Sequence, residues 1–331
     1  MGIGNLVRYL MMGAVIVTLS ATSLATRVGA QPRTTTNNVQ ETDDKFKVDT
    51  YTKFVETYKT NEAVAYDTAK VYLQRYAKDN DQYSRYITLW VADYEKKQRL
   101  GELKNLVYQN RNFADAFKLG KQVMNENPDH LDSLIALGNA GYLAAGAKNE
   151  TYNTEALAYA HKAIQLVEGG KAPETWAPFK GKEDTLAYLY TTVGLLKLKS
   201  APNEAIDALI KTAQLDSELK KVPLTYYYLA LAYQNGPYAK LSADYQSRFA
   251  DKPETPESKA ALEKLNQVMD RIVDAYARAV AAAGTDQQYA PTKTAWLNTL
   301  TTFYKFRHEN SDAGLNEFVA SVMSKPLPPK L

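Results

Sequence analysis

The chain contains no cysteine and only three histidines among its 331 residues. The missing cysteine excludes disulfides, thiol nucleophiles, cysteine-ligated metals and lipid attachment at a lipoprotein-type cysteine. His130, His161 and His308 are far apart, and none has a partner histidine three to five residues away, so the usual zinc-site spacing is absent. No metal or cofactor is therefore expected, and packing alone must hold the fold together.

The chain also lacks an excess of one charge and a long apolar run beyond its N-terminus. Residues 1–30 carry Arg8, an apolar run over about 10–19, and Val28-Gly29-Ala30 before Gln31. This order of charge, apolar segment and small residues predicts a Sec-type signal peptide. An uncleaved N-terminal membrane anchor is the alternative.

Cleavage would change the charge balance and place the protein across a membrane. Residues 1–30 hold two arginines and no acidic residue, so their removal lowers the net charge from +3 to about +1. That balance gives no compositional case for nucleic acid or anionic lipid as a partner. We expect an exported protein in the periplasm or at the cell surface, without stable membrane insertion after cleavage.

Helical periodicity dominates the rest of the chain. After a polar, aperiodic stretch at 31–48, which predicts a flexible leader, apolar residues recur every three or four positions, most clearly over 262–280. No apolar–polar alternation bounded by turn signals occurs. The sequence therefore predicts an all-α fold, including one unusually long helix over 81–110.

Small residues recur at fixed offsets in pairs of predicted helices. Residues 112–129 carry Ala116, Gly120 and Pro128, and residues 203–218 align with them through Ala205. Glycines lie near the middle of two neighbouring predicted helices, at Gly138 and Gly194, and a related helix holds the series Tyr226, Leu229, Ala230 and Tyr233. This pattern, with Leu137 before Gly138, resembles the tetratricopeptide repeat (TPR) family, whose repeats carry W-x2-L-G-x2-Y, A-x3-F and P.

The resemblance implies a right-handed α-solenoid of about five TPR-like helix-turn-helix units over residues 49–331. The spacing divides the domain into units at 49–79, 80–129, 130–168, 184–221, 222–284 and 290–326. A linker with Trp176 and Phe179 lies at 168–183, and a long insertion lies at 235–258. The final KPLPPKL cannot be helical, because it is rich in proline.

In TPR proteins the first helices of the repeats line an inner groove that binds a partner. Carried onto this sequence, the resemblance implies partner-binding positions at Asp132, Ile135, Asn139, Tyr142, Tyr227, Leu231 and Gln234. Asn139 is similar to the asparagine of TPRs that clamp a peptide carboxylate. Ile135 stands where that clamp needs a lysine or arginine, so the clamp is not expected. An apolar, tyrosine-lined groove suits an extended or helical peptide.

No constellation of catalytic residues appears, so we expect no enzyme. The sequence predicts a non-catalytic exported scaffold or adaptor that binds a protein or peptide partner in the bacterial cell envelope. One alternative is a binding protein for a small molecule or cell-wall fragment, using a pocket closed by the 235–258 insertion. A helical enzyme with catalytic residues distant in sequence is the second alternative.

The all-α prediction has a direct spectroscopic test. Far-ultraviolet circular dichroism of the chain without residues 1–30 is expected to show a spectrum dominated by helix. A spectrum dominated by strand would contradict the predicted architecture.

Overall fold

The computed structural model describes residues 36–331, with side chains described from residue 42 onward, and this part of the chain is all-helical. No β-strand occurs in these residues, which confirms the all-α prediction. The predicted signal peptide lies outside the described residues. The helices, in chain order, are α1 (Thr36–Thr57), α2 (Glu62–Tyr76), α3 (Gln82–Lys104), α4 (Phe113–Glu126), α5 (Leu131–Gly146), α6 (Asn153–Glu168), α7 (Lys182–Lys197), α8 (Pro202–Gln214), α9 (Pro223–Tyr233), α10 (Ala239–Phe249), α11 (Pro256–Ala283), α12 (Ala290–Arg307) and α13 (Leu315–Ser321).

The chain divides into two compact units, one ending at Leu89 and one running from Trp90 to Leu331. In the first unit, α1 packs on α2 through aromatic rings. The ring centroids of Tyr51 and Tyr72 are 6.2 Å apart, and Phe54 is fully buried. The side chain of Asn61 caps α2 by accepting from the backbone N–H of Val64. Aromatic packing and capping thus define this small helical unit.

Residues 36–48 correct the prediction of a flexible leader, because they form the first half of α1. Specific polar pairs hold this segment. The Tyr76 hydroxyl donates to Asp43 at 2.8 Å, and Lys47 pairs with Asp81 at 2.8 Å. Arg75 lies over the ring of Phe46, 4.0 Å from its centroid. Such pairs leave no apolar periodicity, so the pattern did not reveal the helix.

In the second unit each helix from α4 to α9 packs on the next along the chain, and α9 then packs on α11 and α11 on α12. Alternate helices are also in contact: α5 contacts α7, and α7 contacts α9. The predicted long helix is confirmed, since α3 continues through a π-helical turn at Asn105–Gln109. Buried residues on nearly every face of α5 place that helix in the core.

Close helix approach explains the small residues. A Cβ added to Gly138 on α5 would lie 2.9 Å from the Cα of Ala160 on α6 and 2.9 Å from Leu189 on α7. A Cβ on Gly120 would lie 2.5 Å from Leu137, and one on Gly194 would lie 2.5 Å from Leu209. These distances are shorter than van der Waals contact. The neighbouring helices could therefore not pack so closely if larger residues replaced the glycines.

The insertion predicted at 235–258 lies between α9 and α11 and forms a helix of its own. A π-helical turn at Gln234–Tyr238 leads into α10, which has no fully buried residue and packs on α11. A capping box then starts α11, in which Thr255 and Ser258 each accept a hydrogen bond from the other's backbone N–H. The C-terminal 325–331 are not helical, as predicted.

Gly138→Leu is expected to destabilise the protein by about 1–3 kcal/mol, because the added side chain meets the backbone of α6 and overpacks the crossing. Chemical denaturation measures this loss. Gly146→Leu is the matched control on the same helix, because nothing lies within 4 Å of a Cβ at Gly146. Equal stability of the two variants would show that Gly138 does not limit the helix approach.

Candidate functional site

Aromatic rings from three separate parts of the chain meet on the surface of the second unit. Tyr108 follows α3, Phe179 precedes α7, Tyr188 lies on α7 and Tyr142 lies on α5. The ring centroids of Tyr108 and Phe179 are 6.2 Å apart, those of Phe179 and Tyr188 are 5.1 Å apart, and those of Tyr188 and Tyr142 are 6.1 Å apart. All four side chains are half-buried, so their rings are packed and still reachable.

A second set of rings lies on α9 and around the start of α12. The ring centroids of Tyr228 and Tyr227 are 5.6 Å apart. The ring of Tyr227 stacks on that of Trp296 with centroids 5.0 Å apart, and the Trp296 centroid is 6.1 Å from that of Tyr289. Trp296 is buried, whereas the three tyrosines are half-buried. Tyrosine is suited to this position, since its ring packs while its hydroxyl stays accessible to a polar partner.

Tyr142 of the first set is near enough to Tyr228 and Tyr289 of the second to be affected by their charge, although no ring contact among the described residues joins the two sets. Burial raises the pKa of the Tyr142 hydroxyl, and the neighbouring phenols of Tyr188, Tyr228 and Tyr289 raise it further. Burial likewise raises the pKa of Tyr228, with Tyr227 and Tyr289 adding to the effect. We define the aromatic row as these eight residues, which are Tyr108, Tyr142, Phe179, Tyr188, Tyr227, Tyr228, Tyr289 and Trp296.

Hydrogen bonds fix the linker that brings Phe179 into the row. The backbone N–H of Glu174 donates to the buried Asp132 at 2.9 Å, and that of Lys180 donates to Asp184 at 3.0 Å. The two bonds hold the linker on either side of the Phe179 ring. The linker is therefore part of the row rather than a simple spacer.

Two of the predicted binding positions on α5 serve the core instead of facing the row. Asp132 is 5% exposed and accepts from Lys104 at 2.9 Å as well as from the linker. Ile135 is buried among apolar residues of α6 and α7. Both side chains are thus already occupied by partners within the protein.

Asn139, another predicted position, lies under the row. Its Oδ1 is buried and has no hydrogen-bond partner among the described residues, and neither has the hydroxyl of Tyr108 beside it. Burial raises the pKa of the Tyr108 hydroxyl. Trp296 Nε1 is also buried without a partner in the described chain. Such atoms cost about 1–3 kcal/mol each unless a water or a ligand completes their bonding.

The predicted positions on α9 divide in the same way. Tyr227 belongs to the row, as does Tyr142 on α5. Gln234 accepts a hydrogen bond from the hydroxyl of Tyr276 at 2.7 Å, so its side chain already has a partner. Leu231 is half-buried one turn after Tyr227.

The predicted repeat residues lie in the helix contacts, with one exception. Pro128 is exposed in the turn between α4 and α5. The others are all buried, and they are Ala116, Leu137, Gly138, Gly194, Ala205, Tyr226, Leu229, Ala230 and Tyr233.

The sequence reasoning missed most of the row. Tyr108 and Tyr289 lie just outside regular α-helices, and Phe179 lies in a linker, so helical spacing could not assign them to a face. Tyr188 lies six residues before Gly194, the same offset as that of Asp132 from Gly138, so the repeat spacing itself could have identified it. Composition is a second signal, since the chain has 24 tyrosines and only 9 phenylalanines.

The row can provide stacking and hydrogen bonding but shows no metal-binding chemistry. Within residues 36–331, no group of three or more metal-ligating side chains could hold an ion. None of the helices described there is long and apolar enough to cross a bilayer. The chemistry that remains at the row is that of a neutral aromatic surface with phenolic hydroxyls.

Buried tyrosines make the stability sensitive to alkaline pH. Burial raises the pKa of Tyr276, which lies 6.2 Å from Tyr227, to about 12 and that of Tyr233 to about 12. Because the unfolded chain ionises its tyrosines near pH 10, this contribution to stability is complete below pH 10 and is lost as the pH rises toward 12.

We therefore expect the free energy of unfolding to fall between pH 10 and 12, with a smaller fall in Tyr276→Phe. Urea denaturation of both proteins at each pH measures this free energy of unfolding. Equal slopes for both proteins would contradict the assignment to Tyr276.

Comparisons with protein-family models, with curated proteins and with solved structures found no match for this chain.

Proposed function

We propose that this protein is a non-catalytic binding protein whose aromatic row holds an extended segment of a protein or peptide partner. Two sets of contacting rings, one from Tyr108 to Tyr142 and one from Tyr228 to Tyr289, carry the proposal. Exposed aromatic rings backed by a packed core are the side chains that dominate the energy of peptide and protein interfaces.

A solenoid of TPR-like units accounts for the position of the row. The first helices of three successive units would be α5, α7 and α9, and the contacts of α7 with both α5 and α9 support this pairing. Such helices line the concave face of a stacked-repeat protein. Tyr142, Tyr188 and Tyr227 lie on these three helices, as expected for a binding surface that crosses several repeats.

The predicted signal peptide adds a location to the proposal. Its cleavage would place the mature chain in the periplasm or at the cell surface, where an adaptor of the cell envelope would meet its partner. The absence of cysteine means that such a protein would not depend on oxidative folding.

A cavity beside the insertion favours a second candidate function, the binding of a small molecule. The cavity is about 650 Å³ and is lined by Pro202 and Asn203 of α8 and by Gly236, Pro237 and Lys240 of the insertion. This volume is within the range of ligand pockets. Leu241→Trp, which would fill the cavity, separates the two functions because it leaves the aromatic row unchanged.

Selection of peptides from a random phage library tests the main proposal, using residues 31–331 as bait. We expect selected peptides to bind at least tenfold more weakly to Tyr142→Ala/Tyr188→Ala, because two rings of the row are lost. Tenfold corresponds to about 1.4 kcal/mol. Tyr190→Ala is the matched control, because Tyr190 lies on α7 but pairs with Glu168 away from the row.

Two results would contradict the proposal. One is a selection that yields no peptide above background. The other is equal binding to the wild-type chain and the double variant, with Tyr190→Ala also unchanged. Loss of selected-peptide binding in Leu241→Trp alone would assign the activity to the cavity instead.

A further inference from the structure

We propose that the segment lying on the aromatic row is a proline-rich peptide in the polyproline II conformation. The inference rests on the proposed function of the row and specifies its ligand. It follows from the shape of the row, from its hydrogen-bonding groups and from the way the protein holds its own proline-rich tail.

The shape of the row favours a ligand with rings of its own over a strand. The ring centroids of Tyr108, Phe179, Tyr188 and Tyr142 follow one another at 5.1–6.2 Å, with neighbouring rings tilted by 49–84°, so they form a continuous series of ring faces and edges. A bound strand sends alternate side chains into separate pockets, and contacting rings leave no such pockets between them. A polyproline II helix presents flat pyrrolidine rings that lie on aromatic surfaces of this kind.

The phenolic hydroxyls of the row can each donate a hydrogen bond, which a ligand rich in carbonyl acceptors can use. The hydroxyls of Tyr142, Tyr188 and Tyr228 make no hydrogen bond within the described chain. Phenols ionise only near pH 10, and burial raises the pKa of these three further, so they are protonated at neutral pH. Proline has no N–H, and a proline-rich backbone offers only carbonyl acceptors. Neutral donors facing partly negative carbonyl oxygens are therefore matched, and no ligand N–H is left without an acceptor.

The C-terminal tail shows the same principle within this protein. Lys325 has φ −92° and ψ 147°, close to polyproline II. The buried Arg278 pairs with Asp274 and donates to the carbonyl of Pro326 at 2.9 Å, and Arg271 donates to that of Pro329 at 3.0 Å. Side-chain donors of the protein thus hydrogen-bond to the carbonyls of a proline-rich segment here, although the tail lies against α11 and not on the row.

Decaproline is the direct probe, with (Gly-Ser)5 as a peptide of equal length without rings. Isothermal titration calorimetry with residues 31–331 is expected to show at least tenfold tighter binding of decaproline. Tyr142→Phe/Tyr188→Phe, which removes only hydroxyls, is expected to weaken it about three- to tenfold, and the corresponding double alanine variant to abolish it. Tyr190→Phe is the matched control and is expected to bind like the wild type.

Three outcomes would overturn the inference. Decaproline could bind no better than (Gly-Ser)5. It could bind equally well to the double alanine variant but more weakly to Arg271→Gln, which would place it on the tail surface. Chitohexaose could bind in a Tyr142-dependent way while decaproline does not, which would assign the row to glycans and overturn the proposed peptide function as well.

The two proposals fail separately. If phage-selected peptides without proline bind in a manner that depends on Tyr142 and Tyr188 while decaproline does not bind, the peptide-binding function stands and the polyproline inference is wrong.

Discussion

The packing of α5 against its neighbours is the constraint on which the second unit depends. Gly138 lets the backbone of α6 approach to a distance at which a Cβ would meet Ala160 at 2.9 Å. Gly120 makes room for Leu137 in the same way. Because the chain has no cysteine to cross-link the helices, close packing rather than disulfide bonds stabilises the contacts between them. Buried residues on nearly all sides of α5 show how much of the core forms around it.

The same packing brings the aromatic row together. Tyr142 on α5 reaches Tyr188 because α5 and α7 are in contact, and α6 lies against both helices. The linker before α7 is then held to Asp132 on α5, which places Phe179 beside Tyr108. The structural residues Asp132 and Gly138 and the row residue Tyr142 therefore lie on one helix. A substitution that moves α5 would therefore also change the positions of the rings in the row, even if the substituted residue contacts none of them.

The fold class could be predicted from the sequence because helical periodicity is strong from about residue 50 onward. The first half of α1, at 36–48, could not be predicted as helical, because Asp43 and Lys47 hold it through pairs with Tyr76 and Asp81, and the buried ring of α1, that of Phe54, comes later in the helix. Periodicity detects burial, and paired polar residues on a surface leave no such signal.

The candidate site could be predicted only in part. Tyr142 and Tyr227 were named from their positions in the repeat, and both lie in the row. Asp132 was named by the same rule, yet it pairs with Lys104 in the core. Phe179 and Tyr289 reach the row from segments outside the α-helices, where a repeat pattern assigns no face. Long-range contacts of this kind depend on the packed structure and are not encoded in local spacing.

Ring-labelled tyrosine NMR tests the central claim most directly, because it reports on each ring separately. With a phage-selected peptide added to the chain, the account predicts shifts of the ring signals of Tyr142, Tyr188 and Tyr228, assigned through single phenylalanine variants. Tyr190 on the same helix as Tyr188, and Tyr245 on α10, should remain unchanged. Shifts confined to Tyr238 and Tyr245 around the insertion, with the row unchanged, would contradict the claim that the aromatic row binds the partner.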